Sequence, residues 1–266
     1  MNITEYCGLF GIKNEHVKLD GHKDAITTLD KQGYVILHNV VDLDIVEKMR
    51  KFWLAPKKKR FSSSISLGEP NYSHKFFGKY TRHFEFYWNK PSDPLTYQTS
   101  LLLHYLRNTL LGNHPLYGLT FEPSKVGTYL AITHYSSGSG EMAVHVDPNY
   151  FLPTHYVLPL TFKGDDYQEG GLFAKKGKEE IDIESQLRPG SILLFKGSMP
   201  HGVKKVTGEG TKTNDGRLQM FSIPTIFDGR EKHGLMMDVV YEFFGRFKYF
   251  GYAKGKGYRQ DNKNFR

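Results

Sequence analysis

The strongest constraint on this chain is a series of eight short β-like runs between about residues 121 and 227, separated by Gly-rich or charged turns. They read KVGTYLAITHY, MAVHVD, HYVLPLTF, GGLFAKK, EEIDIE, SILLFKG, HGVKKV and RLQMFSIPTIF. Many short strands at such spacing bury their apolar faces by closing into a sandwich or barrel. With helices ahead of them, the expected fold is α+β with a mainly β core arranged as a jelly roll.

Residues 22–53 read as a helix, a turn at Gly33, the strand YVILHNV and a second helix from near Asp42, whose apolar face is Ile45, Val46, Met49, Phe52 and Trp53. Residues 95–112 form an amphipathic helix ending at Gly112, with Leu102, Tyr105, Leu106 and Leu110 on one side. Residues 61–94 lack periodicity and carry many aromatics and histidines, as a long excursion would. Leu235, Val239, Phe243 and Phe247 mark a terminal helix within 230–252. A single domain over 1–266 is expected. It divides into helical support and a lid region (1–120), the jelly-roll core (121–228), a C-terminal helix (229–252) and a loosely ordered basic tail (253–266).

Composition narrows the chemistry. The only cysteine is Cys7, which excludes an internal disulfide framework and a thiolate-rich metal site, so a metal here must use histidine and carboxylate. The opening MNITEYCGLF has neither a basic leader nor a sustained apolar run, and no run approaches the ~18–20 apolar residues that span a bilayer. A cytoplasmic protein without a membrane partner is expected. The net charge of +8 favours anionic partners. The basic residues fall in scattered clusters, and PKKKR (56–60) reads as a solvated loop, so nucleic acid is the less favoured partner and a small molecule the favoured one.

The stretch MAVHVDPNY (142–150) places His145 and Asp147 two positions apart. On a strand their side chains project together while Val146 packs the other way, which is a chelating arrangement. A third ligand has to come from a distant strand, and LRPGSILLFKGSMPHGVKKV (187–206) offers His201 at the start of one. Two histidines and one aspartate on one face of an octahedron leave three positions open, as non-haem iron(II) requires to bind oxygen and an organic co-substrate together. Arg217, 16 residues past His201, suits a bidentate grip on an anionic co-substrate and would return alongside His201 through the TGEGTKTNDG hairpin. Tyr135 reaches the same pocket from the preceding strand, and Thr133 shares its face. His134 and His155 read as outer or rim residues. Gly170 and Gly171 read as a bulge or close-packing site, because no helix start follows them to make a phosphate cradle.

In this order, H-x-D (145–147), GGLF (170–173), RPGSILLFKGSMPHGV (188–203) and GRLQMFSIP (216–224) resemble the iron(II)- and 2-oxoglutarate-dependent dioxygenase superfamily, and GYVILHNVVDLDIVEKM (33–49) is similar to the preface many members carry. The resemblance implies a double-stranded β-helix, iron(II) ligated by His145, Asp147 and His201, Arg217 on the distal carboxylate of 2-oxoglutarate, and molecular oxygen as the oxidant. It implies an assisting role for Tyr135. Many members have R-x-S where this chain has Arg217-Leu218-Gln219, so Gln219 stands as a substitute hydrogen-bond donor. Asp147 occupies the position that halogenating members leave without a ligand, which favours hydroxylation, desaturation or ring formation.

The excursion NYSHKFFGKYTRHFEFYWNK (71–90) corresponds to segments that often cover the pocket mouth in that superfamily. Arg82 over the iron would select a carboxylate-bearing substrate, such as an amino acid or its derivative, with Thr133 lining the same pocket. The alternatives are an oxygenase modifying protein or nucleic acid, an iron oxidase that does not use 2-oxoglutarate, and a non-catalytic cupin-like binding module.

Overall fold

The computed structural model describes residues 1–55, 76–77, 80–86, 93–119, 126–138, 140–147, 154–208 and 216–226. The capping box of Asn2 and Glu5 opens α1 (Ile3–Phe10). There follow α2 (Ala25–Gln32), β1 (Tyr34–Leu37), α3 (Leu43–Leu54), β2 (Phe76–Phe77), β3 (Tyr80–Phe86) and α4 (Pro94–Leu110). The core strands are β4 (Val126–Ser136), β5 (Glu141–His145), β6 (Thr154–Pro159), β7 (Glu169–Lys176), β8 (Glu179–Asp182), β9 (Ile192–Lys196), β10 (His201–Thr207) and β11 (Gly216–Ile226). A single 3-10 turn, Glu184–Gln186, lies between β8 and β9.

The strands form two antiparallel sheets, one ordered β1-β9-β6-β11-β4-β3 and the other β2-β5-β10-β7-β8. Successive core strands mostly alternate between them, which is the winding of a jelly roll. Period-two alternation divides the six-stranded sheet between two cores. Tyr156, Leu158, Leu194, Leu218 and Met220 face α1–α4, while Tyr135, Val157, Leu193 and Phe195 meet Leu172, Ala174 and Val203 of the five-stranded sheet. The inner space between the sheets is where the chemistry-bearing residues gather.

Three expectations change. The low-periodicity excursion contains β2 and β3, which extend the two sheets at their edges. An edge strand pairs on one side only, so it needs no clear apolar alternation. Helix α4 is buried on all sides from Thr99 to Asn108, with no narrow stripe. It lies between α1, where the Tyr6 hydroxyl donates to the Leu101 carbonyl at 3.0 Å, and the large sheet, where the Tyr156 hydroxyl donates to the Ser100 carbonyl at 3.1 Å. Third, β10 and β11 are not a hairpin pair: β10 pairs with β5 and β7, and β11 with β4 and β6. The chain crosses from one sheet to the other between them, so Arg217 approaches from the wall facing His201. The expected helix at 229–252 and the tail 253–266 lie outside the described residues, as do most of the excursion and the PKKKR stretch. No helix among the described residues is long and apolar enough to cross a membrane.

Candidate metal centre and anion pocket

His145 ends β5 and His201 begins β10, and the two are direct partners in the ladder between those strands. Their rings lie 4.4 Å apart, centroid to centroid, and Phe195 packs against His201 edge-on at 4.9 Å. Asp147 lies just past the strand end, where its backbone N–H donates to the Gly197 carbonyl at 2.8 Å. Val146 between them turns away and is exposed.

Ligand atoms of His145, Asp147 and His201 all fall within 4.8 Å of one another. His145 Nδ1 is 2.9 Å from the Ala143 carbonyl oxygen, and His201 Nδ1 is 2.9 Å from that of Met199. A carbonyl only accepts, so each Nδ1 carries the proton and each Nε2 offers a lone pair toward Asp147. The Nε2 atoms stand 3.5 Å (His145) and 3.6 Å (His201) from the carboxylate oxygens. Burial opposes ionisation of Asp147, yet the rings of His145, His155 and His201 around it outweigh burial and hold the carboxyl below the usual range. Two oriented imidazoles and an ionised carboxylate form a donor set suited to a borderline divalent metal, iron(II) among them, and the backbone acceptors behind the rings fix the ligating tautomer.

His155 is misread from sequence as a rim residue. It lies on β6, buried, with Nε2 3.6 Å from Asp147 Oδ2. Its Nε2 has no hydrogen-bond partner among the described residues. A third ring thus turns its Nε2 toward Asp147. Burial pushes the His155 pKa down to about 4 despite the nearby carboxylate, so the ring is neutral at pH 7. A Cβ on Gly197 would lie 2.7 Å from His155 Nε2 and 3.0 Å from Asp147 Cβ, so a glycine at that turn lets the two meet. The signal available in sequence is phase: His155 and Val157 share a face, and Val157 is in the inner core.

Arg217 is 1% exposed on β11, opposite Tyr135 of β4, with its guanidinium carbon 5.8 Å from the centre of the Tyr135 ring. Its fork is already half used, contrary to the expected bidentate grip. Nε donates to Glu184 Oε2 at 2.7 Å and Nη1 to Gln219 Oε1, while the buried Nη2 has no partner among the described residues. Gln219, expected to donate to a co-substrate, thus commits its carbonyl to Arg217. The Tyr135 hydroxyl donates to Met142 Sδ at 3.8 Å. Thr133, fully buried, is two residues from Tyr135 on β4 and opposite Gln219. The structure therefore brings Thr133, Tyr135, Arg217 and Gln219 to the inner face of one sheet, across from the His145–His201 pair on the other. Arg82 occupies the β3 register position opposite Thr133; its side chain lies outside the described residues. His134, opposite Leu218, falls on the other face of β4 from Thr133 and Tyr135.

No protein-family model matches the chain, and no curated protein matches it in sequence. Among solved structures, a prolyl-4-hydroxylase of Pseudomonas putida is similar with a TM-score of 0.50 at 14% identity, covering 76% of this chain and 97% of that one. An oxidoreductase of the 2-oxoglutarate-Fe(II) oxygenase family from Burkholderia pseudomallei gives 0.48 at 13%, covering 79% and 92%. EctD from S. alaskensis, solved with 2-oxoglutarate and 5-hydroxyectoine, gives 0.49 at 17%, covering 80% and 78%. The first of these bears out the jelly-roll fold.

Proposed function

We propose that this chain is an iron(II)- and 2-oxoglutarate-dependent oxygenase that oxidises a C–H bond of a small, anionic or amino-acid-like molecule. The observation that carries the reading is the convergence of His145 Nε2, His201 Nε2 and the Asp147 carboxylate in the inner space, with both rings locked in the ligating tautomer. Iron(II) held there supplies oxygen activation coupled to decarboxylation of 2-oxoglutarate, in which carbon dioxide leaves, one oxygen atom ends in succinate and the other, in a hydroxylation, enters the substrate.

The chain's own residues perform binding, orientation and exclusion of water. His145, Asp147 and His201 would hold the metal by three donors. Arg217 receives the distal carboxylate of the keto acid at Nη2, the one guanidinium nitrogen left unpartnered, with Tyr135 under the guanidinium and Gln219 steadying Nη1. Val157, Leu193 and Phe195 wall the space with apolar surface, which keeps bulk water from quenching a reactive oxidant. Thr133 and Arg82 stand across one ladder rung and form the substrate side, where a cation matches a carboxylate.

The test is stoichiometry. Iron-loaded protein given 2-oxoglutarate and oxygen should release succinate slowly, and a panel of amino acids and their acylated derivatives should contain compounds that raise the rate with matched oxygen uptake. No succinate at saturating 2-oxoglutarate from protein shown to hold iron would refute the assignment.

A further inference from the structure

Glu184 is a buried carboxylate that the chemistry above does not use. It is 2% exposed and sits in the 3-10 turn after β8, yet it reaches the anion pocket. Its Oε2 accepts from Arg217 Nε at 2.7 Å and from the Leu172 backbone N–H at 2.6 Å, and its Oε1 accepts from the Tyr167 hydroxyl. Burial, then the Glu184 charge, push the Tyr167 pKa far up, so that phenol remains a donor. Gly171, at φ +95°, makes room for this: a Cβ there would overlap the Glu184 side chain.

This is a built arrangement, and it has an electrostatic consequence. A lone buried guanidinium would draw a carboxylate by full charge attraction, whereas one already neutralised presents a hydrogen-bond donor and little net charge. A dianionic keto acid entering beside the Arg217–Glu184 pair brings an extra negative charge into a low-dielectric space. Its distal carboxylate also competes with Glu184 for the same guanidinium.

We infer that Glu184 is a specificity-determining counter-charge: it positions Arg217 so that Nη2 is left as the donor, and it restrains the pocket's preference for a dicarboxylate over a keto acid with an uncharged tail. The inference rests on the proposed use of 2-oxoglutarate. Glu184 is outside the His145, Asp147 and His201 donor set and acts through Arg217.

The experiment is a binding titration of anaerobic iron(II)-loaded protein with 2-oxoglutarate and, separately, with 2-oxopentanoate, which has the same chain length without the distal carboxylate. Glu184→Gln keeps an acceptor for Arg217 and Leu172 and removes the charge. It should tighten 2-oxoglutarate by roughly tenfold or more and leave 2-oxopentanoate near its wild-type affinity. An equal loss for both ligands, or an unchanged ratio between them, would show a merely structural carboxylate and overturn the inference. Should Glu184→Gln fail to fold, Tyr167→Phe decides. With one donor to Glu184 removed, the carboxylate leans harder on Arg217, so 2-oxoglutarate should weaken severalfold while 2-oxopentanoate does not, and no change in their ratio would overturn the inference. If wild-type protein binds iron but neither keto acid, it is the proposed co-substrate that fails.

Discussion

His155 Nε2 lies 3.6 Å from Asp147 Oδ2, the same distance that separates His201 Nε2 from that oxygen. One aspartate is thus ringed by three imidazoles, of which two come from the five-stranded sheet and the third from the facing sheet. Buried on β6 and packed against Phe195, His155 is a wall that holds the Asp147 carboxylate toward the other two rings. Replacing it by Leu should let the carboxylate swing and weaken metal binding about 10–100-fold. Competitive metal titration against a chromophoric chelator reads this directly.

Acid should destabilise the metal-free protein before it unfolds a generic domain. His155 is neutral when folded, with its pKa pushed down to about 4, and titrates near 6.5 when unfolded. Between those values the unfolded state binds the extra proton, so stability present above pH 6.5 is lost as the pH falls toward 4. The contribution is on the order of 3 kcal/mol. His104, buried against Arg107 and held well below its ordinary value, adds a loss of the same sign. Chemical denaturation from pH 7.5 to 4.5 should show this slope, and His155→Gln should flatten it.

Gly171→Ala should cost more than Gly177→Ala in the turn after β7. The new methyl meets both an unfavourable φ of +95° and the Glu184 side chain, for a loss of about 2–3 kcal/mol. Gly177→Ala, at φ +63° with nothing within 4 Å, should cost about 1 kcal/mol. Urea midpoints of the two variants make the comparison.

Arg82→Ala should raise the KM for an anionic substrate about tenfold and leave the affinity for 2-oxoglutarate unchanged, because the proposed function puts its β3 position, opposite Thr133, on the substrate side. Steady-state kinetics with the substrate identified by succinate release checks both numbers.

The metal set was legible because its signals are local. His145 and Asp147 are two residues apart at a strand end, and His201 opens a strand after a tight turn. The partners that shape these residues are not local. Glu184 is 33 positions from Arg217, and nothing in ESQ announces a carboxylate that turns inward past a glycine. His155 was misplaced for a different reason: β6 is buried on both faces along its whole length, so its run lacks the alternation that assigns a face. Strand β3 escaped detection because an edge strand of mixed aromatic and charged residues carries neither a strand nor a helix period. The expected hairpin between His201 and Arg217 followed the usual preference for pairing neighbours in sequence, which a jelly roll breaks by crossing between its sheets.

The most direct test of the account is anaerobic addition of iron(II) and then 2-oxoglutarate to the purified protein, watching for the weak visible charge-transfer band of the chelated keto acid. The account predicts a band that needs both additions and is lost or greatly weakened in Arg217→Ala. Iron binding with no band at saturating 2-oxoglutarate, or no iron binding at His145, Asp147 and His201, would contradict it.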